Sequence, residues 1–153
     1  MDTTFWDNFD KPVISIDEFY ENEACEDGLA RLLEGRERQT EFTLQDILDG
    51  HNTQEDICWF LLSVIDNEFR VDYRRVTMLM LEYAIGSSLP SCVIERASSC
   101  IENIKLGSEI GSRALAVAGR VVSTLSFSNP DGYVSGAHKL LNYVNDNWNK
   151  SHG

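Results

Sequence analysis

The chain has 153 residues, of which 42% are hydrophobic, enough for one ordinary domain that buries about 70% of its unfolded surface. Acidic residues outnumber basic ones by 25 to 13, and the formal net charge is −12. This balance argues against binding to nucleic acid or to an anionic membrane, since both would repel the protein.

The net charge is confined to the first third of the chain. Residues 1–56 hold 16 Asp and Glu against 4 Lys and Arg, whereas residues 57–153 hold 9 of each sign. We therefore predict a single all-helical domain over residues 1–153, with an acidic N-terminal third (1–56) and a near-neutral helical core (57–149). Such asymmetry favours a basic partner.

The acidic third begins with a short extended stretch at residues 13–16. Asp17 is predicted to cap a short helix that carries Phe19 and Tyr20. An exposed amphipathic helix is expected over residues 23–38, where leucines lie among many charges.

A helix start of the capping-box type occurs twice. Thr43 followed by Asp46 resembles such a box, and Gly50 is expected to end the short helix that follows. Residues 53–56 show the same capping-box pattern, from Thr53 to Asp56. They open a helix to about residue 67 that is apolar nearly all round, so we expect it to be the central helix.

Four longer helices complete the pattern. The first two are expected over residues 72–86 and from Pro90 to Gly107. The third begins at Ser108 and is rich in small residues, namely Ala114, Ala116, Ala118 and Gly119. The fourth is expected over residues 133–148, after a turn at 128–132. Short loops make sequential helices antiparallel. The predicted fold class is all-α: a single domain of about six to seven helices, either an irregular bundle or a short stack of antiparallel helical hairpins.

The sequence contains no motif typical of an enzyme. His51, His138 and His152 have no second His or Cys at metal-ligand spacing, and His138 is interpreted as a boundary histidine rather than a catalytic base. Phosphate-binding loops, dinucleotide fingerprints and nucleophile elbows are absent. We therefore predict a non-enzymatic protein with no catalytic residue, no metal and no cofactor.

The sequence also predicts a cytoplasmic protein. Its four cysteines form no C-x-x-C pair and are expected to be reduced. The first residues lack the basic-then-apolar pattern of an export signal, and no apolar run approaches the ~20 residues that span a bilayer.

The carboxylates of the acidic third are predicted to form a docking surface for a basic protein, because a negative patch speeds encounter with a positive partner. The alternative is a solvated surface that only keeps the protein soluble. Phe5, Trp6 and Phe9 either anchor a partner or pack inward as a clasp. The candidate partner-binding acids are Asp17, Glu18, Glu21, Glu23, Glu26, Asp27, Glu34, Glu37, Glu41, Asp46 and Asp49.

A small, acidic, mostly helical chain without an active-site motif resembles the immunity proteins of bacterial polymorphic toxin and contact-dependent inhibition systems. The resemblance lies in size, charge and helicity over the whole chain. It implies a 1:1 complex with a basic toxin domain, most simply a nuclease, whose active site or neighbouring surface the carboxylates cover. Tyr20 or Phe42 would then serve as an aromatic anchor.

Two other functions stay open at this point. One is a phosphate-mimicking inhibitor of a defence nuclease, in which the carboxylates imitate phosphate spacing. The other is a helical adaptor or regulatory subunit that uses the near-neutral helices and self-associates through the small-residue segment at residues 114–119.

Overall fold

The computed structural model describes residues 11–66, 71–105, 112–128 and 136–148. Within these ranges the all-α class is confirmed, with eight helices and one small two-stranded ribbon. The elements are β1 (Val13–Ser15), α1 (Ile16–Glu21), α2 (Glu26–Leu33), β2 (Glu41–Thr43), α3 (Leu44–Asp49), α4 (Gln54–Asp66), α5 (Val71–Ile85), α6 (Ser91–Lys105), α7 (Ser112–Ser128) and α8 (Gly136–Asp146).

The ribbon confirms the extended stretch predicted at residues 13–16 and adds a second strand that was not predicted. β1 pairs antiparallel with β2, so that Ile14 lies opposite Phe42, and both side chains are buried. The N–H of Ile16 donates to the carbonyl of Thr40 over 2.8 Å and extends the pairing. Strand β2 is only three residues long and depends on a partner far away in sequence, so no local periodicity marks it.

Two helix boundaries in the acidic third differ from those predicted. Ser15, not Asp17, caps α1, because its hydroxyl accepts the N–H of Glu18 over 3.4 Å and Asp17 lies inside the first turn. The second helix is α2, shorter than the predicted 23–38. Glu23 and Gly35 have positive φ angles of 61° and 77°, which interrupt a right-handed helix on either side.

Both predicted capping boxes are confirmed. Thr43 and Asp46 exchange side-chain and backbone hydrogen bonds at the start of α3. At the start of α4, the N–H of Thr53 donates to Asp56 over 2.9 Å, and the N–H of Asp56 donates to the Thr53 hydroxyl over 3.2 Å. Each box satisfies two backbone donors that the helix itself leaves without partners.

The most enclosed helix is α5, which corrects the expectation that α4 is central. α5 packs against α4, α6, α7 and α8, and six consecutive residues, 76–81, are each at most 1% exposed. In α4, by contrast, Leu62 is 39% exposed. The polar Thr77 fits this interior because its hydroxyl donates to the carbonyl of Tyr73 over 3.1 Å.

Contacts between helices that are distant in sequence show the irregular bundle rather than a stack of hairpins. α4 packs against α7 and α8, and α3 packs against α8. Of the small residues of α7, Ala114 and Ala118 are buried and serve close packing inside the bundle, whereas Ala116 is exposed. The predicted features at Phe5, Trp6, Phe9, Gly107 and the turn after residue 128 lie outside the described residues.

Candidate partner-binding surface

A cleft of about 290 Å³ opens between the helices of the acidic third and the first turns of α4. α1, α2, α3 and α4 all border it, together with the loop before α2. Its lining is mainly apolar and aromatic. The larger apolar lining residues are Phe19, Leu29, Leu32, Ile47, Trp59 and Phe60.

An ion pair closes one side of this cleft by joining α2 to α4. The Arg31 Nε donates to Asp56 Oδ2 over 2.6 Å, and a second guanidinium nitrogen donates to Oδ1 over 2.8 Å. Bidentate pairs of this kind are geometrically specific and stronger than single hydrogen bonds. The Asp56 side chain is only 13% exposed, so this pair is less screened by solvent than a surface salt bridge.

The same contact leaves little room for a side chain at Gly28 of α2. A Cβ atom on Gly28 would lie 3.3 Å from Asp56 Oδ1 and 3.3 Å from the Cys25 Sγ. Cys25 caps α2, its sulfur accepting the Gly28 N–H over 3.3 Å. The absence of a side chain at Gly28 thus lets α2 approach the start of α4 closely enough for the ion pair.

Two carboxylates on the rim of the cleft are exposed to solvent. Glu23 and Glu55 both line the opening, and neither takes part in an ion pair with another described residue. The acids that do so are Asp46 and Asp56. Trp59 is partly buried in the wall below them. The cleft therefore combines an aromatic interior with a negative entrance.

The outer face of α1 carries an exposed aromatic side chain between two acids. Tyr20 is 59% exposed, and Asp17 and Glu21 are exposed three residues before it and one residue after it. Asp17 lies three residues before Tyr20 and four before Glu21, and these spacings place it beside both on the helix surface. Glu26 and Asp27 are exposed in the first turn of α2, where the helix dipole favours negative charge.

We call the resulting surface the acidic face. It comprises Asp17, Tyr20, Glu21, Glu23, Glu26, Asp27 and Glu55. Of these residues only Glu23 and Glu55 line the cleft, and the others are exposed on α1 and on the first turn of α2. The other predicted acids are also exposed and do not line the cleft; they are Glu34, Glu37, Glu41 and Asp49. Glu34 and Glu37 border a separate shallow groove along α2.

Three of the predicted binding residues have roles inside the fold. Phe42 is 0% exposed and packs edge-to-face on Phe19, so it is a core residue and the expectation of a surface anchor is wrong. Asp46 is held by the α3 capping box, and its carboxylate also accepts from Gln39 over 3.0 Å. Glu18 accepts the Tyr73 hydroxyl over 2.8 Å, which fastens α1 to α5.

The carboxyl group of Asp56 provides a prediction about acid stability. Hydrogen bonds from Arg31 and from the Thr53 N–H hold the pKa of Asp56 below its ordinary 3.8. Its stabilising effect is thus complete above the ordinary value and is lost as the pH falls through the lower native pKa. We expect Asp56→Asn to lower the free energy of unfolding by about 1–2 kcal/mol at pH 7, since it removes a charge-assisted pair.

That deficit should shrink as the pH falls from 5 towards 2, because the wild-type carboxylate is then neutralised as well. Chemical denaturation at a series of pH values measures it, with Glu26→Gln as the exposed control. Asp46, whose pKa is also lowered by its hydrogen bond from Thr43, leaves some pH dependence in the variant. A deficit that is constant across this range would contradict the assignment.

Among the described residues, the histidines and cysteines do not form a reactive cluster. His138 lies 3.1 Å from the carbonyl of Asn52 and ties α8 to the loop before α4. All four cysteines are free, and burial raises the pKa of the Cys58 and Cys100 thiols. In the same part of the chain, no group of three potential metal ligands occurs, and no helix is long and apolar enough to cross a membrane.

Sequence reasoning missed two residues of this cleft. Trp59 and Leu29 line it, although the sequence had suggested that Trp59 belongs to a central helix. The sequence did contain one signal for the cleft. Trp59 lies off the main core stripe of α4, and an apolar residue in that position indicates either a second core or an open cleft. No family model, curated protein or solved structure matches this chain.

Proposed function

We propose that the protein neutralises a basic protein partner by binding it through the acidic face, as an immunity protein does toward a nuclease toxin. One observation carries this proposal. An aromatic cleft lies directly beneath exposed carboxylates that take no part in the ion pairs found among the described residues. This arrangement supplies both parts of a specific docking site, charge at the entrance and apolar surface inside.

The two parts have different physical roles in binding. Exposed carboxylates steer a positive partner and raise the association rate, up to about 10⁸–10⁹ M⁻¹s⁻¹ at low salt. Lasting affinity depends on a few desolvated anchors near the centre of the interface. Trp59 in the cleft and the exposed Tyr20 on α1 are the aromatic groups available for this purpose.

The chemistry of the partner follows from the same surface. Proteins that cut nucleic acids carry Lys and Arg on the surface that holds the phosphate backbone. A complementary acidic face covers such a surface and excludes the nucleic acid, whether it enters the active site or binds beside it. The protein would then inhibit by occupying a site, without any reaction of its own.

Reversing the charge of the acidic face should slow association at least about tenfold at low salt, because electrostatic steering depends on where the charges lie. The variant changes Glu21, Glu23 and Glu26 to Lys. Its matched control changes three other exposed acids to Lys and so alters the net charge equally. They are Glu95 and Glu102 on α6 and Asp146 on α8. The readout is the association rate with the partner, measured by surface plasmon resonance at two salt concentrations.

The partner is first captured from a lysate of the source at low salt and identified by mass spectrometry. The proposal requires that the captured protein is basic, that equimolar addition of this protein abolishes its nuclease activity, and that the α6/α8 control binds nearly as fast as wild type. Equal rates for the two triple variants would remove the acidic face from the interface. A partner without nuclease activity would refute the inhibitory role.

A further inference from the structure

A second groove, opposite in charge to the acidic face, lies between α6 and α7. It has a volume of about 480 Å³ and contains three arginines. Its complete lining consists of Val93, Arg96, Arg113, Ala116, Val117 and Arg120. All three arginine side chains are exposed, and Val93 and Val117 form a buried apolar floor between them.

None of these three arginines takes part in an ion pair with another described residue. The ion pairs given for the described ranges of the chain involve Arg31 and Arg36, both in the acidic third. Arg113 is in the first turn of α7, which contains no acidic residue, and the helix dipole disfavours a cation there. Like charges that share one groove also repel each other, and a bound anion would relieve that repulsion.

We propose that this groove binds the phosphate group of a small-molecule ligand, such as a diphosphate ester. A guanidinium group offers a planar pair of N–H donors that matches two phosphate oxygens, and several such groups can share one multiply charged anion. The volume lies within the range of small-molecule sites. The apolar floor is suited to the uncharged part of the ligand.

The chain's net charge of −12 does not prevent such binding. Exposed charges farther apart than about 10 Å are largely screened at 0.1 M salt, so an anion in the groove responds mainly to the nearby arginines. The site is built from α6 and α7, whereas the acidic face is built from α1, α2 and the start of α4. The inference is therefore independent of the proposed function.

The test is calorimetric titration of the full chain with inorganic diphosphate and with ADP, at constant ionic strength. We expect saturable 1:1 binding that weakens at least about tenfold when Arg113 and Arg120 are both changed to Gln, because charge-assisted hydrogen bonds are lost. The control is Arg38→Gln, an exposed arginine outside the groove, which should bind like wild type. Circular dichroism verifies that each variant is folded.

Three results would overturn the proposal. They are no saturable binding of either phosphate compound, equal weakening by Arg38→Gln, and tighter binding of an oligoglutamate peptide than of diphosphate. The last would identify the groove as a docking site for an acidic protein segment. Tighter binding of ADP than of diphosphate would support the proposal and show that the apolar floor contacts the rest of the ligand.

Discussion

Replacing Phe42 by alanine is expected to lower the free energy of unfolding by about 3–5 kcal/mol, the usual cost of removing a buried aromatic ring. Phe42 is 0% exposed, and its ring lies edge-to-face on Phe19 with a centroid distance of 5.9 Å. It also lies opposite Ile14 in the ribbon. The ring thus joins the ribbon to α1, and its loss leaves a cavity that neither short element is able to fill.

Tyr20 is the matched control for this prediction, since it is an aromatic residue of the same segment that is 59% exposed. Tyr20→Ala should change stability by no more than about 0.5 kcal/mol, as is typical of surface substitutions. Urea denaturation followed by circular dichroism measures both variants. If Phe42→Ala costs no more than Tyr20→Ala, Phe42 is not a core residue. Under the proposed function, Tyr20→Ala should weaken partner binding without unfolding the protein.

Replacing Trp148 by alanine is the second change with a large expected effect. Trp148 follows α8 and is 1% exposed, and the Arg75 guanidinium of α5 lies 5.0 Å from the centre of its ring. Arg75 is itself 0% exposed. Losing the ring removes a large buried surface, at a cost near the upper end of 3–5 kcal/mol. It also removes a cation–π contact worth about 2 kcal/mol when desolvated, although the two effects are not additive.

Trp148→Phe separates these two effects because it keeps an aromatic face of smaller size. We expect it to cost about half as much as Trp148→Ala, since large-to-small changes scale with the volume removed. Guanidinium denaturation of both variants at pH 7 provides the comparison. If the two variants lose the same stability, the aromatic face over Arg75 contributes nothing. If Trp148→Ala costs under about 1 kcal/mol, Trp148 is not part of the core.

Local signals predicted the helices well and their packing poorly. The capping residues Thr43 and Thr53 marked two helix starts correctly, because a capping box involves only neighbours in sequence. The central position of α5 was missed because Arg75 makes that segment look amphipathic. Arg75 is nevertheless buried, and its guanidinium packs on Trp148, which lies far away in the chain. The strand β2 was missed for the same reason, since it forms only against β1.

For the candidate site too, features set by local sequence were predicted and features set by distant contacts were not. Most of the predicted carboxylates are exposed, as expected for charged side chains in an acidic segment. Phe42 was misplaced because composition does not show whether an aromatic residue two positions before a helix start is buried or exposed. The cleft was not predicted at all, since it exists only where the Arg31–Asp56 pair holds α2 against α4.

The position of α8 determines how much of the chain must be made before the described bundle is able to form. α8 contacts α3, α4, α5 and α7, so its partners come from both the acidic third and the near-neutral core. The ribosome makes all of these partners before it makes α8. The bundle is therefore incomplete until α8 has left the ribosome. Under the proposed function, inhibition of the partner would begin only after α8 has emerged.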